Sequence, residues 1–322
     1  MRSQSAPAGS SVSERTSTHS AELGLLLVVV LWGVNFTFIK LGISEIPPFA
    51  FAGIRFTLAG LVLLALLRWH EGSIAWPPGT VQPILVLGLL GNTLYQALFM
   101  YGLARTSVAN ASLIVAAAPI LVVVFGATTG VERVTAPVAA GVLLATCGVL
   151  LVLAVRGPTF GRATLIGDLT ILLATFCWAA FTLLLRKYRP PISDLRLTAL
   201  TLVTGAPGLV LLGLPGMLRT DWTAVRAAAW FGLAGSSLLA IVIAYMLWNR
   251  AVRVLGSSRT SIFSAAVPLI AMLFAWPLLG EVPRPTQFAG AGLIIGGVFL
   301  SRWKPGGVSE RFTDGRSQAA GH

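Results

Sequence analysis

The sequence predicts an all-α polytopic membrane protein with ten transmembrane helices arranged as two inverted five-helix repeats. Three observations predict it: an apolar composition with few charges, ten apolar stretches of membrane-spanning length, and an ungapped internal repeat. Of the 322 residues, 56% are hydrophobic and only 11% charged, and the mean hydropathy is +0.84. Soluble globular chains carry about 25% charged residues. Ten spans of roughly 20 residues each leave short loops and two tails, with no room for a sizeable soluble domain.

The apolar segments fall at 21–40, 47–69, 81–104, 106–129, 136–155, 165–187, 193–214, 227–250, 257–279 and 286–303. Proline, glycine and charge mark the breaks, at Pro47-Pro48, Pro77-Pro78, Arg156-Gly157-Pro158 and Arg189-Pro190-Pro191. Interior prolines and glycines are tolerated where neighbouring helices satisfy the freed backbone groups. Residues 1–20 are polar and rich in serine and lack an apolar signal core, so they are expected to form a disordered cytoplasmic tail. Residues 304–322 are a second cytoplasmic tail. With the N-terminus inside, the inner loops and tails hold 15 Lys and Arg residues against 7 in the outer ones. The positive-inside rule then puts both termini in the cytoplasm of a multi-pass protein of the cell (inner) membrane. The net charge of +12 is therefore loop charge beside a lipid bilayer, and no nucleic acid partner is expected.

Shifting the chain by 149 residues places Pro119 on Pro268, Glu132 on Glu281, Gly141 on Gly290 and Gly148 on Gly297, without a gap. Chance matches of Ala and Leu are easy in an apolar chain. A shared register of Pro, Glu and two Gly is not. Each unit, 21–155 and 165–303, has five helices, an odd number, so the second enters the membrane upside down. Secondary transporters use this architecture, with the substrate site at the repeat interface.

Arg55 stands about 12 Å into the second segment at 1.5 Å per residue. A charge there either faces a partner or water-filled cavity, or it bonds helix-end carbonyls and snorkels outward. Asn35 and Gln96 fall at comparable depth, with Trp32, Asn92, Tyr95 and Tyr101 close to that layer. Singly, such residues serve interhelical hydrogen bonds. Together, on three helices, they read as a polar cavity wall. Trp178, Phe181, Thr182, Tyr245 and Asn249 form a more aromatic counterpart in the second repeat. Trp178 and Tyr245 are candidates to enclose a substrate, whereas Asn249 lies near an inner helix end and reads as an anchor.

Glu132 and Glu281 follow the fourth and ninth segments at opposite faces. Each sits near the start of the next helix, where the dipole favours a carboxylate, and each reads as a gating or structural residue. Pro119 and Pro268 are expected to bend those two segments symmetrically. Gly292 and Gly296 make a small-xxx-small face in the tenth segment, read as internal packing; the protein is expected to be a monomer or a homodimer. Cys147 and Cys177 lie inside apolar segments and read as packing residues. His19, His70 and His322 form no metal-ligand pair, and there is no H-E-x-x-H or Walker motif. No metal, cofactor or catalytic residue is expected, and energy comes from a gradient.

LWGVNFTFIK at Leu31–Lys40, PPFAFAGIRFTLAG with Arg55, and AAAPILVVVFGATTGVERV followed by AGVLLATCGV resemble the first repeat of an EamA-type transporter of the drug/metabolite transporter superfamily. GDLTILLATFCWAAFTLLLRK, MLWNRAVRVLG and AAVPLIAMLFAWPLLGEV followed by GAGLIIGGV resemble the second. The resemblance covers about 21–303. It implies an exporter of amino acids or other small metabolites, and it places an Arg in the second helix. An Arg in the cavity suits a carboxylate-bearing or zwitterionic solute. Permanently cationic drugs fit less well, because Glu22, Glu45, Glu132, Asp168 and Glu281 all lie near segment ends. The coupling ion stays open, with Asp168 and Glu22 as the acidic residues to consider. The alternatives are a non-transporting sensor or scaffold, which would need a soluble domain or long interaction tail, and an exporter of drugs or nucleotide-related solutes.

Overall fold

The structure is a computed structural model that describes residues 9–128, 136–154, 162–188 and 190–300. Glu132, the basic residues Arg133, Arg156 and Arg189, and the expected tail at 304–322 lie outside the described residues. Among the described residues are eight helices long and apolar enough to cross a membrane and two shorter apolar ones. In chain order these are α1 (Gly9–Ile43), α2 (Pro48–Glu71), α3 (Val81–Leu103), α4 (Val108–Thr128), α5 (Ala136–Ala154), α6 (Arg162–Tyr188), α7 (Asp194–Arg219), α8 (Ala227–Leu255), α9 (Arg259–Leu279) and α10 (Pro285–Leu300).

Helix α1 begins at Gly9, so the part of the expected disordered tail from Gly9 onward continues the first span as helix. No proline interrupts 9–20, and a formed span extends at one hydrogen bond per added residue without a new nucleation step.

The packing follows the repeat. Helix α2 lies along α7 and α5 along α10, while α1 packs on α8 and α9 as α6 packs on α3 and α4. Exchanging each helix for the one five places away leaves this pattern unchanged, as an inverted repeat requires. Large apolar side chains such as Leu211, Phe231 and Leu273 remain exposed on the outer surface, where lipid covers them.

Two pairs of irregularities also obey the repeat. Helix α3 contains a π-helical stretch at Gly88–Leu94, and α8 contains one at Leu238–Ile243. Helix α4 breaks at Ala116–Ala117 and resumes at Ala118. Helix α9 passes through a tight turn at Ser264–Ala266 and resumes at Val267. Pro119 and Pro268 are thus the second residues of resumed half-helices rather than bends inside continuous ones. Proline has no N–H and collides with the carbonyl four residues back, a conflict that vanishes in a first turn.

Helices α5 and α10 meet through the repeat-matched glycines. A Cβ on Gly297 would lie 2.5 Å from the Gly141 carbonyl and 2.7 Å from the Ala145 nitrogen, and one on Gly148 would lie 2.9 Å from the Gly290 carbonyl. The internal-packing reading of Gly292 is corrected here: a Cβ there meets open space, and one on Gly296 only touches Leu144 at 3.6 Å. The seam uses Gly290 and Gly297, about two helical turns apart, which turns Gly292 away from it. Gly297→Ala should therefore destabilise the purified protein by about 1–3 kcal/mol through overpacking. Gly292→Ala should change it by less than about 0.5 kcal/mol. Denaturation in detergent reads both, and a Gly297→Ala protein as stable as the parent would contradict this seam.

Candidate functional site

A cavity of about 50 Å³ lies where α1, α2, α3, α4, α6, α8 and α9 converge. Its wall contains all seven residues proposed from the sequence as substrate contacts: Trp32, Asn35, Arg55, Tyr95, Gln96, Trp178 and Tyr245. At roughly 10–15 Å³ per water the space holds only a few waters, so a solute requires the surrounding helices to part.

Arg55 is 1% exposed. One terminal nitrogen donates to Ser236 Oγ at 2.8 Å, and the other donates to Gln96 Oε1 at 2.8 Å. Both acceptors are neutral. The Arg55 Nε is buried without a partner among the described residues, and a guanidinium carries five N–H donors in all. Spare donors on a buried cation therefore remain beside the cavity. The partners are themselves held: Ser236 donates to Asn35 Oδ1, and Gln96 Nε2 donates to the Tyr245 hydroxyl at 3.0 Å.

Gln96 and Tyr245 are 149 residues apart, the repeat offset, so equivalent positions of α3 and α8 bond to each other across the repeat interface. Trp32 and Trp178, the tryptophans of the matching α1 and α6 motifs, meet edge to face at 5.4 Å. Tyr245 lies 6.2 Å from Trp32 and 5.8 Å from Trp178, and Tyr95 lies 5.0 Å from Trp178. Trp32 Nε1 donates to the Ala240 carbonyl at 3.1 Å, within the π-helical stretch of α8. That stretch and its partner in α3 shift the helix faces locally, a device common at functional sites.

The sequence reading missed Ser236 and other parts of the wall, including Val115, Ala118, Ser264 and Val267. The signal was present. Val115 matches Ser264 and Ala118 matches Val267 at the same offset, on either side of the two helix breaks. Both breaks open onto the cavity, as discontinuous helices do in other transporter folds. Other singled-out residues lie elsewhere. Asn92 is buried in α3 with its amide unpartnered among the described residues. Thr182 donates to the Trp178 carbonyl, Phe181 packs on Trp178 at 5.1 Å, and Asn249 donates to Thr198 at 2.8 Å. Tyr101 carries the Arg105 guanidinium 3.5 Å above its ring.

A polar junction closes the end of the bundle that carries Lys40. Glu281 accepts from the Val108 N–H at 2.8 Å, at the N-terminus of α4. The dipole it meets is that of α4, in the opposite repeat, because the helix order brings the end of α9 beside the start of α4. Lys40 donates to the Thr106 carbonyl at 2.7 Å, and the Thr106 hydroxyl donates to Asp168. Asn110 donates to the other Asp168 oxygen at 3.3 Å and accepts from Gln287 at 2.9 Å. On the same face Glu45 accepts from the Arg226 backbone N–H, which together with the Arg226 guanidinium holds its carboxyl below the usual carboxylate range. At the opposite end exposed ion pairs join the repeats, Arg259 with Glu22 and Arg196 with Glu71. A second cavity of about 290 Å³ lies there, lined in part by Arg186, Asn249 and the Asp194–Arg253 pair. No group of three or more potential metal ligands occurs among the described residues.

The sequence matches the model of the EamA-like transporter family over residues 19–154 and again over 165–303. It is 30% identical over 281 residues to an uncharacterized transporter, YyaM, of Bacillus subtilis, covering 86% of this chain and 92% of that one. It is 28% identical to a probable amino-acid metabolite efflux pump of Escherichia coli, covering 87% of this chain and 95% of the relative. A solved structure with 22% sequence identity superposes with a TM-score of 0.63 over 88% of this chain and 96% of its own, a likeness of fold.

Proposed function

The chain belongs to the EamA-like transporter family, and we propose that it exports a small carboxylate-bearing metabolite, such as an amino acid or a derivative of one. The solute binds in the central cavity, and the two repeats rock around it so that the cavity opens to one face at a time. Similarity to efflux pumps for amino-acid metabolites supports the substrate class.

The observation that carries this reading is Arg55: a buried cation at the cavity wall with neutral partners and an Nε–H that has no partner among the described residues. A planar guanidinium binds a carboxylate through two parallel hydrogen bonds, a geometry that Lys cannot reproduce. Gln96 and Ser236 fix the guanidinium plane in advance, which lowers the ordering cost of binding. Asn35 acts through Ser236. Trp32, Tyr95, Trp178 and Tyr245 supply the apolar surface for the rest of the solute.

Purified Arg55→Lys and Arg55→Gln proteins should fold and bind a carboxylate substrate at least tenfold more weakly, about 1.4 kcal/mol. Wild-type affinity combined with lowered thermal stability would make Arg55 a structural residue and move the site elsewhere.

In this reading both termini are cytoplasmic, which turns the Lys40 end outward. Glu281 then latches the outer gate, because its carboxylate in one repeat caps a helix of the other. Opening outward separates the two groups. Its repeat mate Glu132 is expected to serve the inner gate. Glu281→Gln keeps an acceptor but removes the charge that favours the α4 N-terminus. Vesicle transport should show turnover falling more than substrate affinity. Normal turnover with a large loss of affinity would contradict the gating role.

A further inference from the structure

Among the described residues, Arg55 and Asp168 are the charged side chains that burial removes almost entirely from solvent, at 1% and 3% exposure. They are not equivalent. Asp168 sits at the rim, in the junction with Lys40 and Glu281, where the Thr106 hydroxyl and the Asn110 amide donate to it. Arg55 lies deep in the bundle and pairs with no carboxylate among the described residues. Its partners are Ser236 and Gln96, and among the described residues the cavity wall contains no Asp, Glu, Lys or His besides this one Arg. The helix breaks at Ala116–Ala117 and Ser264–Ala266 add no net charge. Each presents the negative end of one half-helix and the positive end of the next.

The closed cavity therefore carries a charge of +1 inside the bundle. A zwitterion leaves that charge uncompensated, because its carboxylate on Arg55 brings an ammonium with no carboxylate to receive it. A monoanion cancels it. Uncompensated charge in a low-dielectric interior is strongly disfavoured, so the difference bears directly on which solute the closed state accepts.

We infer that the solute is a monoanionic carboxylate without a free ammonium group, such as an N-acylated amino acid or another amine-free acid, and that the membrane potential drives its export. The inference rests on the carboxylate reading of Arg55 and narrows it. Each cycle moves one negative charge outward. An inside-negative potential favours that direction, so no coupling ion is required. Asp168, held by the Thr106 hydroxyl and the Asn110 amide at the rim, is left as part of the gate.

The test uses the purified full-length protein and three matched pairs of probes: alanine, leucine and phenylalanine, each free and N-acetylated. Calorimetric titration should show at least one N-acetyl compound binding tenfold or more tightly than its free mate. In vesicles, a tenfold potassium gradient with valinomycin sets a potential of about 59 mV for one charge. That compound should accumulate about tenfold on the positive side, over a background set by protein-free vesicles, and ignore an imposed pH gradient. Free amino acids binding as tightly as their acetylated mates overturn the inference but leave the carboxylate reading intact. So does accumulation that follows the pH gradient and not the potential. If none of the six binds, or if Arg55→Gln binds them as the parent does, the carboxylate reading falls and this inference with it.

Discussion

A guanidinium buried inside a membrane bundle, with no carboxylate beside it among the described residues, is the constraint around which this molecule is arranged. Neutral groups meet part of its hydrogen-bonding need, and each comes from a different helix: Gln96 on α3 and Ser236 on α8, the latter steadied by Asn35 on α1. This cradle spans both repeats. Any rocking of one repeat against the other must therefore alter the surroundings of Arg55, which under the proposed mechanism would couple occupancy of the cavity to the state of the gates.

Symmetry supplies the scaffold and departure from it supplies the site. The glycines of the α5–α10 seam, the π-helical stretches of α3 and α8 and the broken helices α4 and α9 all come in pairs. At the cavity the paired positions diverge. Gln96 faces Tyr245, Val115 matches Ser264, and an offset of 145, which aligns Gly60 with Gly205, sets Leu200 opposite Arg55. Identical wall residues would give a two-fold site suited to a symmetric ligand. One cation on one side instead would give a solute bound there a single preferred orientation.

Hydropathy and the repeat made the architecture legible before any coordinates. Spans are long and apolar for a reason no tertiary context overrides: the bilayer leaves a backbone few alternatives to helix. Arg55, Asn35 and Gln96 stood out because polar side chains are rare at such depth; Trp32 stood out by lying close to that layer, and Trp178 as part of its more aromatic counterpart in the second repeat. Ser236 carried no comparable signal, since a serine costs little in a membrane helix and bonds its own backbone readily. Its importance comes from the helix crossing that sets it against Arg55. The same holds for Glu281. Its place after α9 was readable, but the helix whose dipole it meets depends on a contact between repeats. Gly292 and Gly296 showed a familiar spacing, and only the rotation of α10 decides that Gly290 and Gly297 form the seam.

The central claim is that one cavity, holding Arg55, is reached from each side of the membrane in turn. The direct measurement places a cysteine in the cavity wall, Val115→Cys, after Cys147 and Cys177 are replaced, and follows its modification by a membrane-impermeant thiol reagent. Applied from either face of oriented vesicles, the reagent should react at measurable rates, and a transported carboxylate should slow both reactions when Arg55 is intact but neither in Arg55→Gln. Reaction from one face only, whatever solute is present, would contradict alternating access to this cavity.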